Sequence, residues 1–150
     1  MTRGRWVQAT AVAAAFVMGY AFRGATSIST PVEAQTANRV FELRTYTAPP
    51  GKLEALKTRF RDHTTRLFTK HGMTNIGYWV PVDEKTGQPS GNTLVYILAY
   101  SSLEARQKSW DAFRNDPAWN AVRTESEKNG RLLEKIDSVF LKATDYSPMK

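Results

Sequence analysis

Apolar and β-branched residues recur with strand-like spacing in four separate stretches of the chain. Strands are predicted over residues 40–47, 74–82, 93–100 and 135–144. The first strand ends at Pro49-Pro50-Gly51, which is a strong stop signal. Residues 83–92 are rich in Gly, Pro and charged side chains and predict a long loop between the second and third strands. We therefore expect these two strands to pair antiparallel as a hairpin.

The segment between the first two strands has the apolar spacing of a helix, with one apolar position every three or four residues. This first helix is predicted over residues 52–71, ahead of Gly72 in the position of a C-cap glycine. Both histidines of the chain, His63 and His71, fall on the apolar stripe of this helix. We therefore expect both imidazole rings to point toward the sheet.

Two further helical segments follow the third strand. The first begins at a capping box, Ser101 with Glu104, and runs to about residue 115. The second begins with Asp116 as N-cap and Pro117 at the first helical position. The residues predicted to face the core from these segments are Leu103, Trp110, Phe113, Trp119 and Val122.

The order of the elements is β-α-β-β-α-β with the second helix split in two, which predicts a ferredoxin-like α+β fold. The second and third strands place apolar residues on both faces, as with Tyr96 on one face and Ile97 on the other. In a chain of this length, helices can cover only one face of a four-stranded sheet. A second copy of the same sheet is the economical cover for the other face, so we expect a homodimer.

The N-terminal part of the chain resembles a targeting segment. We expect residues 1–38 to form this segment with a linker, and residues 39–150 to form the folded domain. Arg3 and Arg5 precede an apolar stretch over residues 6–22, and small residues lie ahead of a possible cleavage point after Ala34. The segment is therefore either a cleaved signal for export to the periplasm or beyond, or an uncleaved membrane tether. A mitochondrial presequence is the remaining alternative, because no acidic residue occurs before Glu33.

Composition excludes several classes of chemistry. The chain contains no cysteine, which removes thiol nucleophiles, thiolate metal sites and disulfides. The net charge is +7, but the basic residues of the predicted helices alternate with acids in the pattern of a solvated face. We therefore expect no nucleic-acid partner.

The sequence motifs of common cofactor and metal sites are also missing. The two histidines are eight residues apart on one predicted helix, so their backbones lie roughly 12 Å apart, too far to share a metal ion. No glycine-rich nucleotide loop, Ser-His-Asp order or paired-carboxylate motif is present. We expect neither a metal nor a cofactor, and the residues do not indicate a catalytic group.

An ordered set of short motifs resembles the NIPSNAP family and covers nearly all of the chain after Asn38. These motifs are Glu42-Leu43-Arg44-Thr45-Tyr46, Pro50-Gly51, His71-Gly72, Gly77-Tyr78-Trp79, Asn92, Ala99-Tyr100, Ser102-Leu103, Ala105-Arg106, Asp116-Pro117 and Trp119. The resemblance implies a dimeric α/β barrel in which two ferredoxin-like sheets pack face to face. It implies a small-molecule-binding or protein-interaction module, and the alternative is a cofactor-free monooxygenase or isomerase acting on a small aromatic or apolar substrate.

Six residues are the candidates for ligand contact, and each also has a structural interpretation. In the structural interpretation, Arg44 forms an ion pair with Glu42 or with a residue across the dimer interface. In the functional interpretation, it binds the carboxylate or phenolate group of a ligand. His63 is either a hydrogen-bonded histidine at the edge of the core or a proton-shuttling ligand contact. The aromatic candidates are Tyr46, Tyr78, Trp79 and Trp110. They are either core residues or the walls of a pocket for a flat apolar molecule.

Overall fold

The computed structural model describes residues 39–150, so the predicted leader, residues 1–38, lies outside the described residues. The elements follow the predicted order β-α-β-β-α-β. The strands are β1 Val40–Thr47, β2 Thr74–Trp79, β3 Thr93–Tyr100 and β4 Lys135–Lys142. The helices are α1 Leu53–Arg59, a π-helical turn Phe60–Thr64, α2 Thr65–Lys70, α3 Leu103–Arg114 and α4 Pro117–Ser126.

All strand pairs of the sheet are antiparallel, and the strand order is β2-β3-β1-β4. This is the ferredoxin-like arrangement, so the predicted α+β fold class is confirmed. The buried core lies between one face of the sheet and the helices, and its largest fully buried side chains include Tyr96, Phe68 and Leu56.

Strand β2 is shorter than predicted. It ends at Trp79, and a bulge between Asn75 and Gly77 shifts its register against β3. The chain beyond it returns to strand-like pairing only at the single bridge between Val82 and Pro89. Prolines at positions 81 and 89 lack the backbone N–H that a regular ladder requires, which agrees with this interruption.

The N-terminus of α3 also differs from its prediction. Ser102, not Ser101, is the N-cap, and its hydroxyl accepts a 3.0 Å hydrogen bond from the backbone N–H of Ala105. Leu103, which was predicted to face the core, is 57% exposed at the beginning of this helix. The caps of α4 match the prediction, because the carboxylate of Asp116 accepts a 2.8 Å bond from the N–H of Ala118.

The first helix contains a π-helical turn that the apolar spacing did not predict. A π turn rotates the residues that follow it relative to an uninterrupted α-helix. Thr64 therefore takes the buried position, and its hydroxyl donates to the carbonyl oxygen of Arg59 at 3.2 Å. His63 is exposed, so the prediction that it points toward the sheet is wrong.

The register of β1 with its two neighbours divides the sheet into two distinct faces. Glu42, Arg44 and Tyr46 face the helices together with their cross-strand partners. Leu43 lies opposite Ile97 and Val139 on the other face, which no element of residues 39–150 packs over as a layer. Both faces of the sheet are thus apolar, as the sequence predicted.

Within residues 39–150, no helix has the length and apolar character that crossing a membrane would need.

Candidate functional site

A buried carboxylate organises the helix-facing side of β1. Glu42 is fully buried, and its Oε1 accepts hydrogen bonds from Arg44 Nη1 at 2.5 Å and Ser138 Oγ at 2.6 Å. Arg106 approaches from α3 and donates from both Nε and Nη2, at 3.0 and 2.7 Å, so the contact is bidentate. A planar guanidinium held in this way fixes the position of α3 over the sheet.

Two aromatic donors complete the shell around the same carboxylate. Tyr100 donates its hydroxyl to Glu42 Oε2 at 3.0 Å. The indole N–H of Trp110 lies 3.2 Å from this oxygen and 2.9 Å from the Tyr100 hydroxyl. Every polar group of this network therefore has a partner, which is the condition under which a buried charge is tolerated.

Glu42 is held in its anionic form. Burial by itself would raise the pKa of this carboxyl, but the hydrogen bonds from Arg106 and Ser138 and the nearby charges of Arg44 and Arg106 outweigh burial and lower the pKa to about 2. Burial raises the pKa of the Tyr100 hydroxyl, and the neighbouring Glu42 carboxylate raises it further. At neutral pH the pair is a carboxylate beside a neutral phenol.

Arg44 is almost completely engaged. Besides its bond to Glu42, its Nε donates to the Tyr96 hydroxyl at 2.9 Å and its Nη2 to the Tyr46 hydroxyl at 3.3 Å. Its Cζ atom lies 4.4 Å from the centroid of the Trp110 ring, a cation–π stacking distance. Arg44 thus pairs with Glu42 inside the chain, and any ligand must compete with that partner.

A cleft of about 400 Å³ opens beside this network, between the sheet and helices α3 and α4. This volume lies within the range of small-molecule sites. Three of the six candidates line the cleft, namely Arg44, Tyr46 and Trp110. The cleft also has lining residues that the sequence did not indicate as ligand contacts, namely Arg59, Arg106, Phe113, Arg114, Trp119, Arg123, Glu127, Arg131, Leu133 and Ile136.

The other three candidates lie elsewhere. Tyr78 and Trp79 border a separate groove between β2 and the first helix, and Trp79 packs on Gly77 on the side of the sheet away from the helices. His63 lines an outer groove between α1 and α4. The six candidates are therefore divided among three separate spaces.

The second histidine belongs to a structural junction. His71 Nε2 lies 2.7 Å from Asp116 Oδ2, and Lys70 Nζ lies 2.6 Å from the same oxygen. Hydrogen bonds from Lys70, His71 and the Ala118 backbone lower the pKa of Asp116. The junction joins the end of α2 to the beginning of α4.

This buried Glu–Arg–aromatic network on a four-stranded antiparallel sheet lies within the segment that the NIPSNAP family model matches, residues 41–148. The chain belongs to the NIPSNAP family. Among curated protein sequences, no significant relative was found.

Solved structures of other NIPSNAP proteins have the same fold. One from Agrobacterium tumefaciens, of unknown function, is 24% identical with a TM-score of 0.63, and the alignment covers 76% of this chain and 96% of that one. A NIPSNAP-like domain protein from Burkholderia xenovorans is 20% identical with a TM-score of 0.63, covering 75% of this chain and 90% of that one. A cofactor-independent oxygenase from Streptomyces nogalater is more distant, with 14% identity, a TM-score of 0.49 and coverage of 75% and 99%.

Proposed function

We propose that this NIPSNAP domain binds a small molecule with a flat aromatic or apolar body in the cleft beside Glu42 and Arg44. The observation that carries the proposal is the cleft itself, a space of about 400 Å³ bordered by Trp110, Trp119 and Phe113. Aromatic walls with a few fixed polar groups are the usual composition of a small-molecule site. If the domain is instead a protein-interaction module, no small molecule needs to bind in the cleft.

The Glu42 network supports binding by making the floor of the cleft rigid. Trp110 is held by its indole N–H and by the Arg44 guanidinium stacked on its ring. A wall that is already fixed loses little conformational freedom when a ligand arrives, so more of the contact energy appears as affinity.

The enzyme alternative, a cofactor-free oxygenase or isomerase, would need a group in the cleft that accepts a proton from the substrate. Glu42 has a pKa of about 2 and is fully engaged in hydrogen bonds, which makes it a weak base. Glu127, the carboxylate that lines the cleft directly, is paired with Arg59 and Arg123. We therefore prefer binding to catalysis as the function of this cleft.

Two further proposals concern the whole protein. We propose that the domain works as a homodimer, with the apolar sheet face around Leu43, Ile97 and Val139 covered by the same face of a second copy. We also propose that residues 1–38 carry the domain out of the cytoplasm or tether it to the membrane. N-terminal sequencing of the expressed full-length protein distinguishes a chain cleaved near Gln35 from one that retains Met1.

The binding proposal is tested by tryptophan fluorescence with small quinones and phenols, such as menadione and naphthol. We expect saturable quenching in the wild type, because Trp110 and Trp119 both border the cleft. Trp119→Phe should reduce the quenching amplitude and weaken affinity. The matched control is Trp79→Phe, because Trp79 lies outside the cleft, and it should keep the wild-type affinity.

Quenching that rises linearly with ligand and never saturates would contradict a binding site. Saturable quenching that disappears in Trp79→Phe but persists in Trp119→Phe would place the ligand in the groove of β2 and would also contradict the proposal. A cleft ligand that emerges from the titration chemically altered would favour the enzyme alternative.

A further inference from the structure

The cleft carries an unusual concentration of positive charge. Six arginines line it, and they come from β1, α1, α3, α4 and the segment before β4. Three carboxylates pair with them, Glu42, Glu127 and Asp111. The cleft and its pairing partners therefore hold an excess of three positive charges, which raises the local concentration of anions.

The charge of the cleft is not divided evenly among its arginines. Arg44 and Arg106 share the single carboxylate of Glu42. Arg59 and Arg123 share Glu127, at 2.9 and 3.6 Å. Arg131, in the segment between α4 and β4, forms no ion pair within residues 39–150. Arg59, Arg123 and Arg131 therefore have charge or donor capacity left for a ligand.

Arg59 has a hydrogen-bond donor that is buried and unsatisfied among the described residues. Its side chain is only 2% exposed, yet its Nε is a buried donor with no hydrogen-bond partner among the described residues. Its Nη1 donates to Glu127 Oε1 at 2.9 Å. A buried guanidinium donor without a partner is costly, so an acceptor that bound at Arg59 would be stabilised.

The aromatic walls adjoin these arginines directly. The Cζ atom of Arg59 lies 5.3 Å from the centroid of the Trp119 ring, and that of Arg106 lies 5.6 Å from the Trp110 ring. A ligand that fills the cleft would therefore meet a flat apolar surface beside a group of guanidinium donors. This combination fits a planar body with an acidic substituent.

We propose that the ligand of the cleft is a small aromatic carboxylic acid, with its ring against Trp119 and Trp110 and its carboxylate directed to the Arg59, Arg123 and Arg131 side. The inference rests on the proposed function, because it names the chemical class that the same cleft takes. Arg44 stays committed to Glu42 and serves as part of the wall. The anion clamp, which was one of the two interpretations of Arg44 from the sequence, is thereby given to Arg59, Arg123 and Arg131.

Isothermal titration calorimetry on the purified full-length chain tests the inference with naphthalene carboxylate and its uncharged isostere, naphthalene carboxamide. The acid should bind about tenfold or more tightly than the amide, since each charge-assisted bond to an arginine is worth more than its neutral counterpart. Its affinity should fall as salt is added, whereas that of the amide should not.

Arginine variants locate the acid. Arg59→Gln and Arg131→Gln should each weaken the acid several-fold and leave the amide unchanged. Arg131 is exposed and unpaired within residues 39–150, so its variant should fold even if Arg59→Gln does not. The control is Arg66→Gln, an exposed arginine of α2 outside the cleft, which should bind both probes as the wild type does.

Equal affinity for acid and amide, both weakened by Trp119→Phe, would overturn the inference and leave the proposed function standing. Saturable binding of neither probe would overturn both. An acid that binds tightly but is insensitive to Arg59→Gln and Arg131→Gln would be bound elsewhere, and that result would also overturn the inference.

Discussion

At the scale of single residues, Glu42 is the side chain on which the site depends. It accepts bonds from β4, α3 and its own strand, through Ser138, Arg106 and Arg44. Removing one member of a buried ion network leaves the others charged and unpaired, which costs more than the net worth of the network. The stability of the site and its geometry are therefore linked through one carboxylate.

Glu42→Gln should lower the free energy of unfolding at pH 7 by about 3–5 kcal/mol, because Arg44 and Arg106 lose their anionic partner. The pKa of Glu42 is about 2 in the folded chain against an ordinary value of 4.5. Its stabilisation is therefore complete above about pH 4.5 and is lost as the pH falls through about 2. The difference between wild type and variant should shrink across that window.

Urea unfolding at a series of pH values measures this difference. The control is Glu54→Gln, which removes an exposed carboxylate that pairs with Lys57 on the helix surface, and it should change stability little at any pH. A gap between wild type and Glu42→Gln that stays constant from pH 7 to pH 2 would contradict the role given to the Glu42 charge.

Sequence reasoning succeeded for the residues of one strand and failed for the cleft. The pairing of Arg44 with Glu42 was one of the interpretations from the sequence, and the two side chains are paired on the helix-facing side of β1. The arginines of the cleft, such as Arg59, Arg106 and Arg131, belong to separate elements, and each one looks like a solvated charge within its own segment. Only the packing of α3 and α4 on the sheet brings them together.

At the scale of elements, the π turn explains the principal error about the candidate site. Helical spacing treats Phe60, His63 and Leu67 as one stripe, which holds only while every turn has the same number of residues. The wider turn over Phe60–Thr64 moves Thr64 inward and His63 outward. The apolar pattern could not reveal this shift, because Thr64 and His63 are both compatible with a partly buried position.

Neighbouring alanine variants test the π turn. Thr64→Ala should lower the free energy of unfolding by about 1 kcal/mol, because the hydroxyl bond to the Arg59 carbonyl is lost at a buried position. His63→Ala should leave stability nearly unchanged, since its ring is exposed. If thermal denaturation shows that His63→Ala is destabilised more than Thr64→Ala, that result would contradict the observed orientation of the π turn, in which Thr64 is buried and His63 is exposed.

Most element boundaries were predictable because local chemistry determines them. Asp116-Pro117 at the start of α4 and Gly72, with a φ of 77°, after α2 have these roles in the structure. The cap of α3 was placed one residue early because Ser101 and Ser102 both carry a hydroxyl that can serve as an N-cap. Backbone conformation decides between them, and it is extended at Ser102.

At the scale of the whole molecule, the dimer proposal rests on the sheet face around Leu43, Ile97 and Val139, which lies away from the helices. The exposed apolar side chains there include Val139, Leu141 and Trp79. A self-complementary apolar face is suited to a two-fold dimer, because the same patch serves both copies.

Val139→Glu should convert the dimer to a monomer, because the introduced carboxylate would be buried without a partner in the interface. Val82→Glu is the matched control, because Val82 is 53% exposed in the β2–β3 loop whereas Val139 is 52% exposed on the sheet face. Light scattering reports the masses. A wild type that is monomeric at micromolar concentration, or two variants that behave alike, would contradict the proposed interface.

The proposed binding of a small molecule in the cleft between the sheet and helices α3 and α4 can be observed at the indole groups that border it. The most direct measurement is the ¹H–¹⁵N spectrum of the indole groups, assigned with single Trp→Phe variants, during titration with naphthalene carboxylate. We expect saturable shifts at Trp110 and Trp119, which border the cleft, and an unmoved signal from Trp79, which lies outside it. Shifts at Trp79 with Trp110 and Trp119 unchanged, or no saturable shift at any indole, would contradict it.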